Sequence, residues 1–232
     1  MNVIIADSTR PVGIRVTANP NRHGHSGVFL LGDRSNTFTG NVEISGENSN
    51  LVLHKTNNAI AVRGNILVQE KSILRIRGSN QLLKSSNITL KSGGTIITES
   101  DSNLSNTFKN LTIKDNGIIN FAHNNNEFHD KNSKYYLYAD ELIIHDTGNL
   151  TIQDWQDGRD FLLVRKSSQH LADALTKMAF NGYNPANIHL RDFNRDYWQI
   201  SALPEPTTYG AIVTLTGLGL WTLRRRKWPP HG

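Results

Sequence analysis

The chain contains no cysteine. Disulfides, thiol nucleophiles, Cys-ligated zinc and iron–sulfur clusters are thereby excluded, while the redox compartment stays open. Charge is sparse too. Asp, Glu, Lys and Arg make up 19% of the 232 residues, which argues against a charged disordered tail or a long coiled coil. Hydrophobic residues reach only 37%, enough for a lean core in one elongated domain or two small ones. Gly-x-Ser-x-Gly, the phosphate-binding loop and His-Glu-x-x-His are all missing, and so is the calcium nonapeptide Gly-Gly-x-Gly-x-Asp. The best-defined hydrolase, nucleotide and metalloprotease motifs therefore have no foothold, and no cofactor is expected.

Asparagine is what the chain has in excess. Of 26 asparagines, 22 lie at or before Asn149. Asn accepts the left-handed backbone conformation and makes side-chain turns, so it belongs at corners. Short β-branched runs lie between these corners: Leu51–His54, Ile73–Arg77, Gly94–Thr98 and Glu141–His145. Leu74 and Ile76 alternate with Arg75 and Arg77, as in a half-buried strand.

An Asn-apolar-x-apolar pattern recurs at Asn41, Asn50, Asn65, Asn87, Asn110 and Asn149. Asn87-Ile-Thr-Leu90, Asn110-Leu-Thr-Ile113 and Asn149-Leu-Thr-Ile152 are nearly identical, and Asn36-Thr-Phe-Thr39 echoes Asn106-Thr-Phe-Lys109. A period of roughly 22 residues is the length of one β-solenoid coil, whose apolar face is buried only by stacking. The expected fold is therefore all-β: a parallel β-solenoid (β-helix) of about six coils. Its organisation reads as an irregular segment at 1–26, solenoid repeats at 27–164 and a cap at 165–203. An antiparallel sandwich is the competing architecture, but its strands need no shared motif. The cap should hold a short helix over 169–180, where Leu171, Leu175 and Met178 recur at helical spacing. Ser168 is its candidate N-cap and Gly182 its stop.

From Thr207 to Leu223 no residue is charged, and Arg224, Arg225, Arg226 and Lys227 follow at once. Seventeen helical residues span about 26 Å, close to a hydrocarbon core of about 30 Å. One C-terminal transmembrane helix is therefore expected. Its anchor residues are Tyr209, Gly210, Ala211, Ile212, Val213, Leu215, Gly217, Leu218, Gly219, Leu220, Trp221 and Leu223. Tyr209 and Trp221 suit the two interfaces, and the basic cluster stays cytoplasmic. Of the net +5, residues 204–232 carry +3 and the body +2. The basic balance is thus mostly a topology signal, and a nucleic-acid partner is not expected.

Pro204, Glu205 and Pro206, then Thr207 to Ala211, the apolar stretch and the Arg cluster resemble the PEP-CTERM sorting signal. That resemblance implies an exosortase, a membrane transpeptidase, as processing partner for segment 204–227, with 228–232 as a tail. The body has its own likeness. Asn36–Gly46 with Leu51-Val-Leu53 is similar to the autotransporter-associated β-strand repeat, and Ser79–Gln81, Leu150–Trp155 and Leu171–Phe180 look like features near the end of such passengers. The combination resembles large surface proteins of Verrucomicrobia-type bacteria. It implies a non-enzymatic envelope or surface protein, inner-membrane anchored before processing, structural or adhesive, with extracellular polysaccharide as a further partner. Residues 1–20 lack the basic start and apolar run of a signal peptide. The chain is accordingly expected to be the C-terminal portion of a longer protein.

Two clusters merit a chemical reading. His123, Glu127, His129 and Asp130 carry metal-ligand chemistry, but they surround an Asn triplet that reads as a solvated loop, so no metal is expected. Asp154, Asp157 and Asp160 flank Trp155, a grouping that paired-carboxylate glycosidases use. It carries the alternative function, a polysaccharide-active β-helix lyase or hydrolase. A turn after a coil needs the same residues, and the turn is the preferred reading.

Overall fold

The computed structural model describes residues 4–18, 26–100, 102–122 and 132–203. The sorting motif Pro204–Pro206, the anchor, the basic cluster, the tail and the His123–Asp130 loop lie outside the described residues. Among the described residues no helix is long and apolar enough to cross a membrane.

About 49% of the described residues are strand, wound into a parallel β-solenoid of about six turns. Each turn visits three faces. On the second face lie β1 (Ile14–Thr17), β3 (Val42–Ser45), β5 (Ile66–Val68) and β7 (Ile88–Leu90), continued by the C-terminal halves of β9 (Leu104–Ile113) and β11 (Tyr135–Ile144). On the third lie β2 (Ser26–Gly32), β4 (Ser49–Lys55), β6 (Ile73–Ile76), β8 (Gly94–Thr98), β10 (Asn116–Phe121), β12 (Asn149–Gln153) and β14 (Met178–Phe180), all parallel. The first face is irregular at the N-terminal end, where residues 5–12 bond to residues 37–40 and Val62 bridges Leu82. It becomes regular only where the N-terminal halves of β9 and β11 stack with β13 (Asp160–Arg165).

The repeat sets the register. Ile66 pairs with Ile88 and Ile88 with Leu111, steps of 22 and 23 residues. Leu51 pairs with Leu74 and Leu74 with Ile96, again steps of 23 and 22. Later steps lengthen, to 31 from Leu111 to Leu142 and 33 from Ile119 to Ile152, and residues 123–131 fall within both. Inward residues stack like on like, and Leu51, Leu74, Ile96, Ile119 and Ile152 are all fully buried. Each such side chain contributes about 1.5–3 kcal/mol on leaving water, which no single coil could collect alone.

Corners follow the asparagine expectation. Asn48, Asn57, Asn58 and Asn80 all adopt positive φ between 54° and 67°. At the corner between the first and second faces the coils touch backbone to backbone. A Cβ on Gly40 would lie 2.3 Å from the Val12 carbonyl oxygen, and one on Gly64 would lie 2.0 Å from that of Gly40. Only glycine permits that approach.

Several elements depart from the sequence reading. The near-identical Asn87 and Asn110 copies stack on the second face, with Ile88 opposite Leu111, but Asn149–Ile152 lies on the third. β1 falls inside the stretch expected to be irregular, and it continues the second face beyond residue 27. The expected helix over 169–180 is only α1 (Leu171–Leu175), without a side-chain cap from its neighbour His170. Met178–Phe180 is instead drawn into β14, because Met178 and Phe180 complete the third-face stack over Leu150 and Ile152. α1 packs on β11, and Leu171 and Ala174 are its buried contacts. The first face ends in an antiparallel pair: β16 (Tyr197–Ala202) runs against β13, and β15 (Ile188–Asp192) against β16.

Candidate functional site: a polar groove across three coils

The expected acidic cluster is structural in its contacts. Trp155 is buried, with edge contacts to Phe121 at 5.5 Å and Phe180 at 5.1 Å. Asp154 takes a positive φ of 55° at the corner. Asp157 binds Arg191 at 2.8 Å, tying the turn to β15. Asp160 is fully buried, and its Oδ2 accepts the Gln156 amide at 2.6 Å. The aspartates thus hold the turn and the cap together, with Trp155 as an internal spacer.

A polar recess lies elsewhere. A groove of about 610 Å³ crosses three coils at the corner between the third and first faces. Its ionic wall is one column of the repeat. His54, Arg77 and Glu99 directly follow Leu53, Ile76 and Thr98, which pair in sequence across β4, β6 and β8. The Glu99 side chain is only 7% exposed, and it accepts from Arg75 Nη1 at 3.0 Å and also from Arg77. A carboxylate so buried needs both guanidinium partners to offset its lost hydration. Arg75 and Arg77 against the one Glu99 carboxylate leave this cluster with a net positive charge.

The floor is held by Gln81. Its Oε1 accepts the Lys55 amide at 2.7 Å, while its Nε2 donates to the Lys55 carbonyl at 3.0 Å and the Ser79 carbonyl at 2.8 Å. The Lys55 ammonium turns away from the groove and donates to the carbonyls of Leu31 and Arg34 at 3.0 and 2.7 Å. Its pKa lies below the usual lysine value because burial disfavours the charge, with Asp33 pulling the other way. The rim is built from the asparagine corners. Asn80 Nδ2 donates to Asn58 Oδ1 at 2.9 Å, and Thr56, Asn57, Ser79, Ser100 and Ser102 add hydroxyls and amides.

Gln81 belongs to a wider set of buried amides. Asn36 bridges three coils, accepting from the Ile5 amide at 3.2 Å and donating to the Ala61 carbonyl at 2.9 Å. Asn106 accepts from the Gln81 amide at 2.7 Å and donates to the Gly78 carbonyl at 2.8 Å. The echo between Asn36-Thr-Phe-Thr39 and Asn106-Thr-Phe-Lys109 is therefore functional in the fold: both amides and both phenylalanines, Phe38 and Phe108, are buried.

None of the groove residues stands out in the sequence by type. The signal that would find them is the repeat itself, because aligning the coils puts His54, Arg77 and Glu99 in one column. Among the described residues no group of three or more His, Asp or Glu side chains is arranged to hold a metal ion. No protein-family model, curated protein or solved structure matches the chain.

Chemically, the groove offers different polar groups from successive coils, spaced along the solenoid axis at the strand separation of about 4.8 Å. That spacing is close to the length of one sugar unit in an extended glycan. Its one described carboxylate, Glu99, is already clamped between two arginines, so the groove suits recognition better than proton transfer.

Proposed function

We propose that the protein is a non-enzymatic, structural or adhesive component of the bacterial envelope or surface, which associates with extracellular polysaccharide through the groove. Segment 204–227 is its sorting signal, processed by an exosortase after the apolar stretch enters the membrane. The observation that carries the binding half is a groove across three coils in which the column His54, Arg77 and Glu99 is rimmed by the hydroxyls and amides of Thr56, Asn57, Asn58, Ser79, Ser100 and Ser102. The sorting half is carried by the order Pro-Glu-Pro, uncharged stretch, basic cluster.

The binding half is tested by titrating neutral and uronate-containing oligosaccharides into the protein. Ser102→Trp fills the groove without touching the Glu99 pairs, and it is expected to weaken binding at least tenfold. Equal binding by the variant would refute the groove as the site. The sorting half is tested separately by fractionating cells with and without the exosortase. Intact chain recovered in the cytosol in both strains would refute it.

A further inference from the structure

One guanidinium of the groove is held from behind. Glu99 Oε1 lies against both Nε and Nη2 of Arg77, so it occupies the side edge of that guanidinium. Glu99 Oε2 accepts from Arg75 Nη1 at 3.0 Å. The Glu99 side chain is almost buried, and it cannot turn to a ligand without leaving both arginines. Arg77 is fixed in plane as a result. Its end edge, Nη1 with the outer hydrogen of Nη2, has no acceptor among the described residues. Arg77 lines the groove and its side chain is 39% exposed, so this edge is open to what enters there.

Such an edge has a chemical counterpart. Two parallel N–H groups of a guanidinium match the two oxygens of a carboxylate, whereas an ammonium acts only as a point charge. Lys55, the ammonium in the lining, spends its donors on the Leu31 and Arg34 carbonyls. Recognition of an anion therefore falls to Arg77. The same lining holds the hydroxyls of Thr56 and Ser102, which suit the neutral hydroxyls of a sugar ring.

Resting on the polysaccharide reading above, we infer that the groove selects an acidic glycan, with Arg77 pairing to the carboxylate of a uronic acid unit and Glu99 positioning Arg77 for it. Glu99 is thus more than a counter-charge. By taking the side edge, it leaves the end edge pre-aimed, and the ligand need not order a flexible side chain on binding.

Short oligogalacturonates and their full methyl esters test this, because they share every sugar and hydroxyl and differ in charge. Titrated into the full-length protein in mild detergent, the acid form is expected to bind at least tenfold more tightly than the ester. Arg77→Gln should bring that ratio close to one. Arg77→Lys keeps the charge but not the planar edge, and it should lose most of the preference. Glu99→Gln decides between positioning and bulk charge. It removes a negative charge, so bulk attraction alone would tighten binding of the acid form; loss of positioning weakens it several-fold. Thermal unfolding, run alongside, identifies a variant that has lost its fold, and the exposed Arg77→Lys change keeps the test decisive if Glu99→Gln does so. Equal binding of acid and ester, full preference in Arg77→Lys, tighter acid binding by a folded Glu99→Gln, or a preference for a sulfated neutral glycan over the uronate would each overturn the inference while leaving the groove as a glycan site. Binding of none of these ligands would refute the groove reading and this inference with it.

Discussion

The two ends of the solenoid are built differently. At the C-terminal end three devices close the stack. The antiparallel β15–β16 pair covers the first face, α1 covers the second, and β14 with its turn of helix covers the third. An aromatic cluster seals the outside of that closure. Tyr136 stacks on Phe161 at 4.5 Å, Phe193 leans on both, and Tyr138 meets Tyr197 edge-on at 5.1 Å. At the other end of the described stack Phe29 and Leu31 are about half-exposed. A solenoid needs a polar terminal unit to stay soluble and solitary. Among the described residues such a unit lies at the C-terminal end, while the apolar side chains of β2 are half-exposed at the other.

The sharpest way to probe that difference is to make the same substitution at both ends. Phe180→Ala removes a ring that is 2% exposed and packed edge-on against Trp155, and it should cost about 3–5 kcal/mol in denaturant unfolding. Phe29→Ala, measured in dilute protein, should change stability by no more than about 0.5 kcal/mol. Comparable losses at the two ends would erase the contrast.

Next in size is the amide set. Asn106→Ala leaves the Gln81 amide and the Gly78 carbonyl buried without partners, at a cost of about 1–3 kcal/mol. Asn36→Ala should instead loosen residues 4–12 locally, read by hydrogen exchange at the Ile5 amide.

Acid should separate the ends more gently. Hydrogen bonds from the Thr39 hydroxyl, then from the Val12 and Thr39 amides, hold the Asp7 carboxyl below its ordinary range. Burial pushes Glu141 up, but hydrogen bonds from Ser168, His170 and Gln169 outweigh it and leave the net value lowered. Both groups bind fewer protons folded than unfolded near pH 4. Their contribution is present at neutral pH and is lost as pH falls through the carboxylate range. Between about pH 5 and pH 3, exchange should rise at residues 4–12 and at 168–175 before it rises in the middle coils. The smallest effect is expected from Arg191→Ala. It breaks the half-exposed Asp157 pair at the closed end and should cost no more than about 1 kcal/mol.

How much of this could be read from the chain depends on what each feature rests on. The stacking rests on a repeat, and repeats are written in the sequence. Asn87–Leu90 and Asn110–Ile113 gave both the period and the face. The corner role of asparagine was equally legible, as was the turn at Asp154–Asp160. The cap was harder. Leu171, Leu175 and Met178 have helical spacing, yet Met178 and Phe180 are claimed by the edge of β12, a tertiary demand that no local pattern records. The Asn149 copy misled for a related reason. The motif describes any strand leaving an asparagine corner, and the coil has more than one such corner. The groove was invisible because its parts are ordinary residues made neighbours only by stacking.

The first face has a consequence of its own. Along it, the inward position changes from amides to hydrocarbon: Asn36 and Gln81 lead to Asn106, which pairs with Leu137, then Leu162 and Ile200. Hydrocarbon contacts form without regard to direction, whereas each amide must find a particular carbonyl or N–H in the neighbouring coil. Assembly should therefore begin at the Leu137–Ile200 end and proceed towards Asn36, each finished coil presenting the template that the next one reads.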